Sequence, residues 1–252
     1  MKKNYLYLIL APFVIWVLEE IFFFEPSFFF LSLSLSLLII AFSVRSIIKK
    51  YRSKFWPALI LAPASFYISF SFYSAIIISQ FWIQTIFLLV ALFIFFYLRY
   101  IHLYFSLATE GGEAKLRQLL LIGSFLSSFA FAATLYALPI FLSWSSLLLL
   151  GIFIVVGACL FGQLLVFKKR VDKDKIIFWG INVFVLTEFA GIFFLLPLNY
   201  NILGVLLAII FYLLVLFDEW REEDRLNWKN LKWPVVIACL ILVLIFLSAR
   251  WL

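Results

Sequence analysis

Charged residues are scarce in this chain of 252 residues. Asp, Glu, Lys and Arg together make up 13% of the sequence and hydrophobic residues 67%, whereas soluble domains average about 25% charged and 45–50% apolar residues. This composition excludes a soluble globular domain and places the chain in a lipid bilayer. Nine spans of about 20 residues each leave too little loop for a soluble catalytic domain. We therefore expect a single integral membrane domain over residues 1–252.

Residues that bind metals or carry redox chemistry are also few. The single histidine, His102, cannot supply a bis-histidine haem or a histidine-rich metal site. The two cysteines, Cys159 and Cys239, lie in apolar segments and form no disulfide framework, and no Walker loop or dinucleotide fingerprint occurs. Asp172 and Asp174 form a D-x-D inside a basic loop, where local charge balance is the simpler explanation. We expect no metal and no cofactor, and the sequence favours a non-catalytic protein over an enzyme.

Nine stretches of the chain carry almost no charge. A helix rises 1.5 Å per residue, so stretches of this length can cross about 30 Å of hydrocarbon. Backbone groups in lipid must bond within their own segment, which requires helices here. The sequence therefore predicts an all-α, polytopic transmembrane helical bundle of about nine spans. The stretches are residues 5–24, 28–44, 55–79, 81–98, 119–138, 145–167, 176–196, 202–217 and 234–248.

The basic residues predict an orientation in the membrane. With nine spans, 19 of the 20 Lys and Arg residues lie on the side of the N-terminus, and only Arg250 lies opposite. Positive residues are retained on the cytoplasmic side, so we expect a cell-membrane protein with a cytoplasmic N-terminus and an outer C-terminus. The inner basic loops are expected to attract anionic lipid at about 1 kcal/mol per nearby charge. Membrane lipid explains the net charge of +7, and nucleic acid is not needed as a partner.

The order of loops and one sequence match raise the question of internal repeats. The outer connections are short, which is typical of helical hairpins, and residues 8–12 and 59–63 both read Leu-Ile-Leu-Ala-Pro. Such matches also arise by chance in a chain rich in Leu and Ile. A bundle of repeated hairpins and a bundle without repeats both remain open.

Small residues at helical spacing indicate where helices approach closely. Gly180, Thr187 and Gly191 lie on one stripe of the seventh span, and Ala158 and Gly162 are spaced in the same way on the sixth. We interpret these five residues as helix-packing positions. Spans 3, 5, 6 and 7 are accordingly expected inside the bundle, with the Phe-rich spans 2 and 4 at its lipid-facing rim.

Glu188 is the acidic residue that the sequence places deepest in the membrane. It lies twelve residues after the start of the seventh span, near or just beyond the bilayer midplane. A carboxyl at this depth is energetically expensive and by default marks ion or proton passage. The alternative is a structural carboxyl, hydrogen-bonded to hydroxyls at similar depth such as Ser71, Tyr73 or Ser128. Both interpretations of Glu188 stay open.

Three further acids form a predicted outer acidic cluster. Glu19 and Glu20 lie in the outer third of the first span, and Glu25 lies at its exit. They are expected to pair with Arg250, which would hold the ninth helix against the first. The alternative is that the three acids gather cations at an outer vestibule.

Three functional hypotheses remain. The scarcity of polar groups in the spans favours a structural or accessory membrane subunit that binds lipids or other membrane proteins. The alternative is a secondary transporter or channel for a small solute or proton that uses Glu188. The third is a lipid-modifying membrane enzyme, for which His102, Gln163 and Asp172 would have to converge at the inner interface. A water-accessible cavity at Glu188 would favour transport, and a sealed contact around it would favour a structural role.

Overall fold

Every regular element in the described part of the chain is helical. The computed structural model describes residues 2–48, 56–107, 110–165 and 173–222, together with residues 232, 235, 236, 240, 241 and 243. A 3-10 turn, Pro26–Phe28, joins the first two helices. The helices are α1 (Lys2–Phe24), α2 (Phe29–Ile48), α3 (Trp56–Ile76), α4 (Gln80–Leu107), α5 (Glu110–Leu142), α6 (Ser146–Leu165), α7 (Lys173–Phe193) and α8 (Tyr200–Glu222).

Eight helices in these ranges are long and apolar enough to cross a membrane. The predicted all-α class is thereby confirmed for the described residues, and their composition suggests a membrane protein. The predicted ninth span, 234–248, falls mostly outside the described residues. The count of nine spans therefore stays a prediction.

Two helices extend well beyond the predicted apolar stretches. α4 continues to Leu107, although its stretch was expected to end at residue 98, and α5 begins at Glu110, although its stretch was expected to begin at residue 119. Arg99, Lys115 and Arg117 lie in these extensions. A charged side chain ends an apolar run, but it does not interrupt the backbone hydrogen bonds of a helix.

The chain forms two compact units, Met1–Ser124 and Phe125–Leu252, with the division inside α5. In unit 1, α1 and α3 each pack against both α2 and α4. Aromatic rings fill much of the interior, and the rings of Phe66 and Phe93 stack with centroids 3.8 Å apart. The four long helices α1 to α4 therefore line one shared interior in unit 1.

A proline inside unit 1 leaves one helix carbonyl group without its usual N–H donor, and a side chain on another helix replaces that donor. Pro63 lies within α3 and has no N–H to donate to the carbonyl oxygen of Leu59, four residues earlier. The hydroxyl of Tyr97, on α4, donates to that oxygen at 2.6 Å. Because Tyr97 is fully buried, water cannot replace this bond. The bond joins α3 to α4 at the proline.

Unit 2 combines the C-terminal part of α5 with α6, α7 and α8. α5 and α8 approach closely at Gly204 of α8, where an added Cβ atom would lie 2.9 Å from the Cβ of Ala133 and 3.0 Å from the carbonyl oxygen of Phe129. The hydroxyl of Tyr136, on α5, donates to the carbonyl oxygen of Ala190 on α7 at 3.1 Å. α5 thus contacts both α7 and α8 within this unit.

Burial within each unit differs from the order expected from small residues. In unit 1, 56% of the residues in the most apolar part of α3 are buried, and 28% of those in α2, as expected. The corresponding share for the Phe-rich α4 is 44%, which does not fit its expected place at the rim. In unit 2, α6 and α7 are less buried than α8. The prediction is wrong for α4 because Phe87, Phe93 and Tyr97 face the interior. Large aromatic residues can pack between helices by filling the space, just as small residues can by allowing the backbones to come close.

Candidate functional site

The Glu19 carboxyl group is enclosed within unit 1. Glu19 lies on α1, five residues before Phe24, which corresponds to about 7.5 Å along a helix. Its side chain is only 1% exposed. The hydroxyl of Ser71, on α3, donates to Glu19 Oε1 at 2.7 Å. This bond joins α1 to α3 through the interior of the unit.

Hydroxyl groups from α2 and α3 surround this carboxyl. Tyr67 is close enough to interact with the Glu19 carboxyl and with the hydroxyl groups of Ser32 and Ser36. The hydroxyl of Ser32 donates to the carbonyl oxygen of Leu18 at 2.8 Å. All these side chains are buried. We define the Glu19 cluster as Glu19, Ser32, Ser36, Tyr67 and Ser71.

Two oxygen atoms of the Glu19 cluster have no hydrogen-bond partner among the described residues. They are Glu19 Oε2 and Ser36 Oγ, and Ser36 is 0% exposed. Buried polar atoms are nearly always hydrogen-bonded, because an unpaired one loses its hydration without compensation. The two atoms therefore indicate a further group at the cluster, such as a proton, an ion or an ordered water molecule.

The described basic residues of unit 1 do not neutralise Glu19. Glu19 lies near the end of α1, and Ser36 lies near the start of α2. Arg45 is close to the other end of α2, and Arg99 lies nineteen residues after the start of α4. Lys2, Lys3, Lys115 and Arg117 lie near the starts of α1 and α5. Each of these residues lies toward the opposite ends of the helices, so none of them pairs with Glu19.

The other two acids of the predicted outer cluster have separate partners. The side-chain amide of Gln84, on α4, donates to Glu20 Oε2 at 3.0 Å. Glu25 is exposed at the turn after α1 and accepts a hydrogen bond from the hydroxyl of Ser27. The structure thus distributes the three acids over three different surroundings. Arg250, their predicted partner, lies outside the described residues.

Glu188 lies on an exposed face of α7, thirteen residues after Lys175 and five before Phe193. Exposed apolar side chains flank it on the same helix, among them Ile181 and Phe184. Two of the hydroxyls expected to bond it have other acceptors, since Ser71 donates to Glu19 and Ser128 donates to the carbonyl oxygen of Phe125.

Two of the proposed packing glycines lie between α6 and α7. A Cβ atom at Gly191 of α7 would lie 3.6 Å from Leu150 of α6, and one at Gly162 of α6 would lie 4.0 Å from the indole nitrogen of Trp179 on α7. Both contacts are ordinary van der Waals distances. α6 and α7 are in ordinary contact at these two positions, where a methyl group would fit without a clash.

The other proposed packing residues have weaker contacts. A Cβ atom at Gly180 would meet no atom within 4 Å, and Gly180 is exposed. The hydroxyl of Thr187 donates to the carbonyl oxygen of Val183 in its own helix, and Ala158 is half-buried. The stripe on α7 therefore includes one position in contact with α6, Gly191, and one exposed position, Gly180.

A cavity of about 300 Å³ lies beside α7 and α8 in unit 2. Its lining is apolar and aromatic, and includes Phe189, Leu213, Phe217 and Val235. A lining without carboxyl or hydroxyl groups suits hydrocarbon better than a polar solute.

The residues considered for metal binding or lipid chemistry lie on different elements of the chain. No group of three or more His, Cys, Asp or Glu side chains that could hold a metal occurs among the described residues. His102 is half-buried on α4, and Gln163 is buried on α6. Asp172 lies outside the described residues, as does the side chain of Asp174.

Comparisons of the chain with protein-family models, with curated proteins and with solved structures return no match. The chemistry of particular residues, and not a fold shared with other proteins, is therefore the basis for its function.

Sequence reasoning missed Ser32, Ser36 and Tyr67 and assigned Ser71 to Glu188 instead of Glu19, although two signals could have found the Glu19 cluster. Glu19 and Ser71 each lie five residues before the end of their helices, and these ends are on the same side of unit 1. Ser32 and Ser36 are four residues apart, as are Tyr67 and Ser71, so each pair shares one helix face. Depth together with shared faces brings these residues to one place.

Proposed function

We propose that this multi-pass membrane protein acts as an accessory subunit that binds another membrane protein through the exposed face of α7. The observation that carries this proposal is the position of Glu188, exposed well inside the span Lys175–Phe193. A carboxyl group that faces lipid within a span is costly, and the cost rises to about 2.5–3.5 kcal/mol for a charged residue at the helix centre on insertion scales. A partner helix with a hydrogen-bond donor or a cation at the same depth removes this cost.

The surroundings of Glu188 favour a protein contact over a solute pathway. Ile181 and Phe184 are 47% and 64% exposed, so an apolar surface surrounds a single polar group. Interfaces between transmembrane helices often combine these features, because packing supplies area and one hydrogen bond supplies orientation. The cavity beside Phe189 is apolar and offers no polar path to Glu188.

Site-specific photo-crosslinking in the native membrane tests the accessory role. A photoreactive residue at Phe184 is expected to crosslink to another membrane protein. The crosslink is expected to persist in Glu188→Gln, which keeps hydrogen bonding, and to disappear in Glu188→Leu. A photoreactive residue at Phe42, exposed on α2, serves as the control and is expected to react with lipid. Crosslinks from Phe184 only to lipid, or only within the chain itself, would contradict the accessory role.

A second candidate function is transport of a proton or small cation, which the Glu19 cluster favours. Its two unpartnered oxygen atoms are buried within a span, and buried intramembrane carboxyl groups commonly mark ion pathways. Flux into liposomes would be compared for wild type, Glu19→Gln and Glu188→Gln. Loss of flux in Glu19→Gln alone would assign transport to unit 1, and loss in Glu188→Gln alone would assign it to Glu188 in unit 2. An absence of flux in wild type would count against transport.

We also propose a specific membrane topology. Nine spans in the cell membrane, with a cytoplasmic N-terminus and an outer C-terminus, would place 19 of 20 basic residues inside. The chain would then form one integral membrane domain, with anionic lipid bound at its inner basic loops.

Repeated hairpins are proposed on the basis of one pair of helices. The two Leu-Ile-Leu-Ala-Pro segments lie in α1 and α3. In both segments the first leucine and the alanine are buried, at Leu8 and Ala11 and at Leu59 and Ala62. The same residues thus face the interior in both helices, which supports a common origin for the two hairpins.

A further inference from the structure

We propose that the Glu19 cluster is a binding site for one sodium ion, enclosed by α1, α2 and α3. This site lies in unit 1 and does not depend on the proposed accessory role. Its ligand is a hard monovalent cation, which prefers oxygen atoms. The observations that carry the proposal are the unpartnered Glu19 Oε2 and Ser36 Oγ.

Five side-chain groups can present oxygen atoms to the ion. Glu19 Oε2 and Ser36 Oγ form no hydrogen bond of normal geometry in the described part of the chain, although the Tyr67 hydroxyl lies near both side chains. The hydroxyl hydrogen atoms of Ser32 and Ser71 are directed to other acceptors. Each of these two hydroxyl oxygens therefore keeps lone pairs that can coordinate a cation.

The charge of the cluster indicates a monovalent ion. Glu19 is its only acidic residue, and the nearest other acid on α1, Glu20, is bound to Gln84. A sodium ion would neutralise one carboxylate, whereas a divalent ion would leave a net positive charge in a buried site. Uncompensated buried charge is strongly unfavourable, so calcium and magnesium fit this cluster poorly.

A proton is the principal competitor of sodium. Protonation would also neutralise Glu19, and the resulting O–H could donate to Ser36 or Tyr67. The two alternatives differ in one measurable respect: sodium binding makes stability depend on sodium concentration at constant pH and ionic strength.

Thermal unfolding of the purified full chain in detergent tests the site. Sodium chloride would replace choline chloride at constant ionic strength and constant pH. We expect the unfolding midpoint to rise by about 3 to 5 °C for each tenfold increase in sodium above its dissociation constant. Potassium is expected to give a smaller shift.

Matched variants locate the effect. Glu19→Gln and Ser36→Ala are expected to abolish the sodium-dependent shift. Ser34→Ala, on the same helix but exposed, and Glu25→Gln, an exposed acid, are expected to retain it. Ser36→Ala removes only a hydroxyl, so it keeps the test decisive if Glu19→Gln does not fold. A midpoint that does not depend on sodium, an equal shift with potassium, or a sodium shift that persists in Ser36→Ala would overturn the proposal.

Discussion

Replacing Tyr97 by phenylalanine is expected to destabilise unit 1 through the carbonyl group of Leu59. That carbonyl has no helical N–H donor, because the residue four positions later is Pro63. Its hydrogen bond from Tyr97, at 2.6 Å, lies in a region that water does not reach. Tyr97→Phe removes one oxygen atom, leaves the packing of the ring nearly unchanged and makes the carbonyl an unpaired buried acceptor.

The expected loss of unfolding free energy is about 1 to 2 kcal/mol. An unsatisfied buried acceptor costs about 1–3 kcal/mol in proteins generally. Hydrogen bonds between membrane helices are worth about 0.6 kcal/mol on average and about 1.7 at most, because the unfolded chain in the membrane also finds partners. The short distance and complete burial of the Tyr97 bond place it in the upper part of that range.

A double-mutant cycle measured by unfolding in a denaturing detergent tests this account. Pro63→Ala restores an N–H group that can donate to Leu59, so Tyr97→Phe is expected to cost about 1 kcal/mol less in that background. Tyr212→Phe, in which the ring is 43% exposed, provides the control and is expected to be nearly neutral. Equal losses for Tyr97→Phe with and without Pro63 would refute the assignment of the Tyr97 hydroxyl to the proline-freed carbonyl.

Two further predictions concern particular contacts, and a third concerns the membrane topology. Gly204→Ala is expected to lower the thermal midpoint and to cost about 1–3 kcal/mol of unfolding free energy, because the new Cβ would lie 2.9 Å from Ala133. Gly151→Ala is the control: its Cβ would meet nothing within 4 Å, so it is expected to be neutral or stabilising. Equal midpoints for the two variants would contradict this. Gln84→Leu is expected to destabilise the α1–α4 contact by about 1 kcal/mol, since it removes the donor to Glu20, and an unchanged detergent-unfolding curve would count against it. A reporter fused after the last residue is expected outside the cell and a reporter at the N-terminus inside; finding both on one side would exclude an odd number of spans.

Helix class follows from composition, but helix ends do not. A backbone segment in hydrocarbon has to satisfy its own hydrogen bonds, so long uncharged stretches predicted helices throughout the described ranges. The ends of α4 and α5 were missed because Arg99 and Lys115 lie just outside the uncharged stretches, while the helices themselves continue past these residues. Hydropathy reports where the chain meets water and gives no direct signal for where helical hydrogen bonding ends.

The candidate site was less predictable because depth and facing direction are separate properties. Sequence position gave the depth of Glu19 and Glu188 within their spans. It did not show which face of each helix is covered, because α1 and α7 are apolar on nearly every side, and a helix without a polar face has no periodic signal to orient it. The structure supplies the missing direction: Glu19 is enclosed, and Glu188 is exposed.

This difference in direction determines where each carboxyl group must find its compensation. Helices surround Glu19, so the group that neutralises it binds inside unit 1, and its effect can be measured on the purified chain. Nothing in the described ranges covers the exposed face of Glu188, so under the proposed accessory role its compensation comes from a partner helix, which purification can remove. Glu19→Gln should therefore alter the stability of the isolated protein, while Glu188→Leu should have its main effect in the native membrane, where a partner can bind. The reverse pattern would mean that enclosure and exposure have been assigned to the wrong acids.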